Sequence, residues 1–213
     1  MSNSALIVPK NKNVGIYLHW NGGPVSVGCF LEYCEMKRLP TFGGRNHSPA
    51  SITAMCQVIN NFFGGSTFTE IIDSVYLSSI DINDYDNGVY VVDTWKIVNK
   101  LGSSVRENYN IRDFLETIDS KQPTHLQLGH SFIYADIVNA SDLKIGDKVF
   151  LYNRGNNYSI HTVVGIASSE KKIVNGTNVC SLPYVDLYDN DGYGNNINNY
   201  IREEKVRRLN INV

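Results

Sequence analysis

Val14-Gly15-Ile16-Tyr17-Leu18-His19-Trp20, followed at once by Asn21-Gly22-Gly23-Pro24, changes the local period of the chain within eleven residues. The first seven residues are rich in β-branched and aromatic side chains and predict a strand; Asn21-Gly22-Gly23 predicts a turn. Pro24 suits the first position of a helix. Val27, Phe30, Leu31 and Cys34 then recur at i, i+3, i+4 and i+7, which puts them on one helical face until Leu39-Pro40 stops the run. A strand feeding a helix through a glycine turn sets the class of the N-terminal part.

Working outward, Ser48-Pro49 reads as an N-cap followed by proline, and Ile52, Met55, Cys56, Ile59, Phe62 and Phe63 form the apolar face of a second helix ended by Gly64-Gly65. Phe68 to Leu77, Val89 to Val92 and Trp95 to Val98 read as strands. Asn110 can cap a short helix with Ile111, Phe114, Leu115 and Ile118 on its buried side, closed by Pro123. Beyond about residue 125 helical periodicity ends. Short strands with turn signals at roughly ten-residue spacing follow: Lys148 to Tyr152, His161 to Ile166, Lys172 to Val174, Tyr184 to Tyr188 and Lys205 to Leu209. The expected fold is α+β. Residues 1–123 form an N-terminal sheet with two or three helices, and 124–213 form a small all-β, barrel-like part with no helix after Pro123.

The 213 residues carry a formal net charge of -2, which argues against coating nucleic acid by bulk charge but leaves room for a local basic patch. The apolar run Ala5-Leu6-Ile7-Val8 is too short for the core of a signal peptide, and no stretch approaches the ~18 apolar residues of a membrane helix. A cytoplasmic protein without a membrane partner is expected. Cys29, Cys34, Cys56 and Cys180 show no C-x-x-C pair or zinc-ligand spacing, so packed thiols are expected, with no metal and no cofactor.

The His19-Trp20-Asn21-Gly22-Gly23-Pro24 string admits two readings. His19 and Asn21 beside a helix N-terminus could grip an anion or act as acid-base and oxyanion groups. Alternatively, Trp20 packs in the core, the glycines make a turn and His19 satisfies a buried carbonyl. The double glycine lacks the further residues of a P-loop or dinucleotide fingerprint. Asp81 to Gly88 fails as a calcium loop, because Thr94 falls where a bidentate glutamate is needed, and so reads as a polar turn. His125, His130 and His161 fall outside ligand spacing. Near the C-terminus, Arg202, Lys205, Arg207 and Arg208 could contact RNA or an acidic protein face; a solvated edge strand is the plainer reading.

Three strings, Ile16-Tyr17-Leu18-His19-Trp20-Asn21-Gly22-Gly23, Cys56-Gln57-Val58-Ile59-Asn60-Asn61-Phe62-Phe63-Gly64-Gly65 and Asp86-Asn87-Gly88-Val89-Tyr90, resemble a group of small proteins carried by phages, plasmids and conjugative elements of Gram-positive bacteria. The resemblance covers about the first hundred residues and brings no catalytic residue. It implies a non-catalytic anti-defence protein of the anti-CRISPR kind, which binds a host defence protein or ribonucleoprotein, or RNA itself. Separately from the resemblance, Trp20 and the basic residues Arg202, Lys205, Arg207 and Arg208 are the expected contacts. Two other functions stay open: a nuclease or other hydrolase acting on RNA through His19 and Asn21, and a phage structural or regulatory protein.

Overall fold

A computed structural model describes residues 3–10, 13–40, 50–65, 68–73, 79–153, 157–167, 172–174, 177–179, 184–189 and 205–209. The chain is α+β and divides into two compact units, Met1–Gly129 and His130–Val213.

The first unit is a five-stranded sheet with three helices. Its strands are β1 (Ala5–Pro9), β2 (Val14–Leu18), β3 (Thr69–Asp73), β4 (Val89–Asp93) and β5 (Lys96–Leu101), in the order β3-β2-β1-β4-β5. β1 pairs antiparallel with β2 and parallel with β4. The run Ala5-Leu6-Ile7-Val8 is therefore the central strand, and all four residues are fully buried. A strand covered on both faces carries a continuous apolar run, without the alternation that marks a half-buried one. Leu6, Val8 and Val89 pack with Tyr17, Ile72, Ile80, Ile82, Tyr85 and Leu101 on one face. Ala5, Ile7, Ile16, Leu18, Tyr90 and Val92 alternate onto the other.

The helices are α1 (Pro24–Met36), α2 (Ala50–Phe62) and α3 (Ile111–Ser120). α1 contacts α2, α3 and the edge strand β5, and α2 contacts the opposite edge, β3. Because α1 has neighbours on several sides, Cys29 and Cys34 are both buried although their side chains diverge by roughly 140° around the helix. Phe30, Phe62 and Phe114, one from each helix, meet at ring separations of 5.3 to 6.0 Å. Asn110 caps α3 as expected, accepting from the backbone of Arg112 and Asp113. Ile111 departs from its expected buried place: its side chain is exposed, although its carbonyl accepts from Cys29 Sγ of α1. Ser48-Pro49 lies outside the described residues.

The second unit opens with one helical turn, α4 (His130–Ile133), which corrects the expectation of no helix after Pro123. Four residues are too few to produce a helical period in sequence. The strands β6 (Asp136–Asn139), β7 (Lys148–Asn153), β8 (Asn157–Ala167), β11 (Tyr184–Asp189) and β12 (Lys205–Arg208) form a sheet in the order β11-β8-β7-β12-β6. β9 (Lys172–Val174) and β10 (Thr177–Val179) pair with each other. No pairing of β11 with β6 closes the sheet among the described residues. Ala140, Leu143, Val149, Val163 and Val206 form the core of this unit. β12 lies between β7 and β6, so it is an interior strand and not the solvated edge expected of it. Its lysine and arginines gave the sequence an edge-like character, yet alternation turns Val206 into the core between them.

Candidate functional site at the glycine turn

The turn between β2 and α1 is built for close approach. Asn21 adopts a left-handed backbone (φ 54°), a conformation asparagine tolerates better than most residues. Gly22 donates its N–H to the Asn3 carbonyl at 2.7 Å, and a β-carbon there would sit 2.6 Å from the Ala5 side chain. Gly23 is the N-cap of α1 and offers no side chain to the open amides. Glu107 supplies the missing acceptor from 81 residues away: its carboxylate accepts from Ser26 N–H at 2.9 Å and from Ser26 Oγ at 2.7 Å. A carboxylate at this end also complements the helix dipole. The carboxylate held at this helix start is the protein's own, and Ser26 holds it, not His19 or Asn21.

The Asp86-Asn87-Gly88 string lies at the same end of the sheet. Asp86 Oδ2 accepts from Ser4 N at 3.0 Å and Ser4 Oγ at 2.8 Å. Asn87 is fully buried; its amide bonds to Asn3 and to the Ser4 carbonyl, and its Oδ1 accepts from Val105 N at 2.7 Å. Both motifs therefore clamp the start of β1, and Asn87 also holds the loop that delivers Glu107. The third string does related work elsewhere. Asn60 accepts from Thr69 Oγ1 of β3, and Asn61 donates to Gln122 beyond α3.

Buried groups surround Glu107. Tyr90 is fully buried, and burial followed by the Glu107 charge pushes its hydroxyl well above the usual tyrosine range. Burial, then Glu32 and Glu107, pushes the Cys29 thiol up to about 12, far from a nucleophilic thiolate. Cys34 and Cys56 are likewise buried and free, while Cys180 lies outside the described residues.

His19 and Asn21 have different partners. His19 Nε2 lies 3.0 Å from Glu70 Oε1 on β3, its ring edge-on to Tyr17, and its backbone N–H donates to the Phe68 carbonyl. It therefore bonds a surface carboxylate, where a buried carbonyl was expected. Asn21 Nδ2 lies 3.5 Å from Ser26 Oγ, toward α1. Trp20, between them, is 43% exposed, which overturns the expectation that it packs in the core. The core tryptophan is Trp95, 4% exposed, whose indole N–H donates to Leu39 at the end of α1.

The basic C-terminal residues have mixed environments. Lys205 is exposed. Arg207 lies over the Phe132 ring at 4.8 Å, and Arg208 is 3.9 Å from Asp136 and 3.7 Å from Asp147. Arg202 lies outside the described residues. His161 is buried, its Nε2 bonded to Ser159 Oγ. Glu107 escaped the sequence reading because nothing in Arg106-Glu107-Asn108 signals a partner on a distant helix.

Among the described residues, no group of three His, Cys, Asp or Glu side chains is placed to hold a metal ion, and no helix is long and apolar enough to cross a membrane. Compared with protein-family models, curated proteins and solved structures, the chain gives no significant match.

Proposed function

We propose that the protein is a mobile-element-encoded anti-defence factor, which binds and inhibits a host immune effector, an RNA-guided CRISPR nuclease, in the bacterial cytoplasm. The observation that carries this reading is the turn itself: Trp20 faces solvent while His19 and Asn21, on either side, are bonded within the fold. An outward tryptophan on a rigid turn is the kind of anchor that binding interfaces use. His19 and Asn21, the polar groups that an RNA-cleaving enzyme would use at this turn, are paired with Glu70 and Ser26. Lys205, Arg207 and Arg208, with Arg202, supply the basic contact to a ribonucleoprotein. The reading also takes the second sheet to roll toward a barrel, which the bulge between Asp186 and Leu187 supports.

The test expresses the protein in hosts whose CRISPR systems target an incoming plasmid. Transformation should return toward the level of an untargeted plasmid, and Trp20→Ala should restore targeting. Full targeting across several CRISPR types, with abundant folded protein present, would overturn the proposal.

A further inference from the structure

Between β5 and α3, residues 102–110 cross the first unit as a strap with neither helix nor strand. Gly102, in a left-handed backbone (φ 83°), turns the chain out of β5. Lys100 Nζ ties the start of the strap: it donates to the Gly102 and Ser103 carbonyls at 3.0 and 2.6 Å and lies 5.4 Å over the Tyr90 ring. Further along, Val105 N–H donates to Asn87, Glu107 accepts from Ser26, and the Tyr109 ring stacks on Phe114 at 5.2 Å. Every strap residue except Glu107 is exposed. A segment held by a few polar bonds and one ring contact belongs to the low-stability end of a fold. Beneath it, Ser26 and Cys29, one turn apart on α1, and Tyr90 on β4 are buried. Cys29 Sγ meets the Ile111 carbonyl just past the end of the strap. Tyr90 Oη, fully buried, has no hydrogen-bond partner among the described residues, and the Glu107 charge acts on both Tyr90 and Cys29.

We propose that residues 102–110 form a lid, and that the start of α1 beneath it binds a carboxylate from outside the chain, for which Glu107 stands in while the lid is shut. Ser26 N–H and Ser26 Oγ bond one oxygen each, which matches a planar two-oxygen group, and the bare Gly23 leaves room for the carboxyl carbon. Both donors are neutral, which suits a monoanion better than a phosphate. Tyr90 Oη is a third donor, and the shut lid leaves it without an acceptor. A buried hydroxyl in that state carries its desolvation cost unrelieved, so it favours an open lid in which a ligand oxygen or water reaches it. Glu107, tethered by the strap, competes as an intramolecular ligand. A free acid therefore acts most visibly once Glu107 is removed.

The experiment alkylates the native full chain with iodoacetamide and follows each cysteine separately by peptide mapping. Cys29 reports the lid; Cys34 and Cys56, also buried, report opening of the whole unit. Glu107→Ala should speed alkylation of Cys29 roughly tenfold, as loss of a cap implies, and leave Cys34 and Cys56 unchanged, with thermal melting confirming the fold. Sodium acetate should slow Cys29 again in that variant, relative to sodium chloride at equal ionic strength. Adding Tyr90→Phe to it should weaken the acetate effect. In the otherwise unaltered chain, Tyr90→Phe should slow Cys29, because the shut lid no longer buries an unpaired hydroxyl. That single variant keeps the lid testable if Glu107→Ala does not fold: an unchanged or faster Cys29 there would overturn it. Equal acceleration of all three cysteines in Glu107→Ala would overturn it as well. Protection by acetate assigns the site to small free acids. Protection by a blocked glycyl-aspartyl-glycine peptide alone assigns it to an acidic side chain of a protein partner. Protection by neither would overturn the site, and equal protection by inorganic phosphate would overturn the choice of a carboxylate.

Discussion

The carboxylate of Glu107 occupies the space that a β-carbon on residue 23 would need, closer than 3.0 Å to it, and from there holds the first turn of α1 through Ser26. Gly23 and Glu107 thus form one unit. The glycine makes room, and the glutamate replaces the cap that a glycine cannot provide.

Gly23→Ala should therefore act through Glu107. The backbone at Gly23 (φ -68°, ψ 163°) suits any residue, and the end of a glutamate side chain moves easily. The cost is the lost cap, about 1–2 kcal/mol. Glu107→Ala should cost a similar amount, and the double variant no more than the larger single one. Denaturant unfolding of the four proteins of this cycle checks it. Additive losses would show that the two residues act separately.

The two tryptophans should behave in opposite ways. Trp95→Ala removes a buried indole that donates to Leu39, and should cost about 3–5 kcal/mol. Trp20→Ala should change stability by no more than about 1 kcal/mol, while impairing inhibition of the target. A large stability loss at Trp20, read by thermal or denaturant unfolding, would return that residue to a structural role.

Much of this architecture was legible because it is local. The period of Val27, Phe30, Leu31 and Cys34, the Asn110 cap and the switch to short strands all lie within a few residues of their causes. The failures share a different origin. Ala5-Leu6-Ile7-Val8 carries no alternation because both of its faces are covered, and Trp20 and Trp95 differ through packing that no neighbouring residue announces. Glu107 meets Ser26 across 81 positions, and the β6 and β7 partners of Lys205, Arg207 and Arg208 follow from sheet order. Long-range partners of this kind leave no periodic trace.

The thiols predict an alkaline limit. Burial pushes Cys34 and Cys56 above their ordinary range and, with the Glu32 and Glu107 charges, raises Cys29 from 9.0 to about 12. Each thiol stays protonated in the fold while the unfolded chain ionises. Its contribution is whole below pH 9 and is lost as pH rises through the folded value, at a limiting slope of about 1.4 kcal/mol per pH unit per thiol. Cys29→Ser should flatten stability against pH between 9 and about 12. An unchanged slope in that variant would refute the assignment.

Charge reversal should separate two neighbours on β12. Lys205→Glu, at an exposed position, should leave the melting temperature nearly unchanged. Arg208→Glu removes contacts to Asp136 and Asp147 and adds repulsion to both, so it should destabilise by about 1 kcal/mol. Added salt should shrink that difference. Equal melting temperatures for the two variants at low salt would mean that the Arg208 pairs contribute nothing measurable.

Asp119 gathers the far end of the first unit. Its buried carboxylate accepts from Tyr33 Oη of α1 at 2.7 Å and from the backbone N–H groups of Leu128 and Gly129 at 2.6 and 2.8 Å. Lys37, also buried, is held below the usual lysine range by burial, an effect that the Asp119 charge opposes. Asp119→Ala would leave three donors without their acceptor and the lysine without its counter-charge. A loss of about 3–5 kcal/mol is expected. Tyr33→Phe removes a single donor from a carboxylate that keeps its backbone partners, so it should cost only about 1 kcal/mol. Hydrogen exchange gives an independent reading: the Leu128 and Gly129 amides should exchange much faster in Asp119→Ala and little faster in Tyr33→Phe. Comparable protection in both variants would show that Asp119 does not anchor this segment.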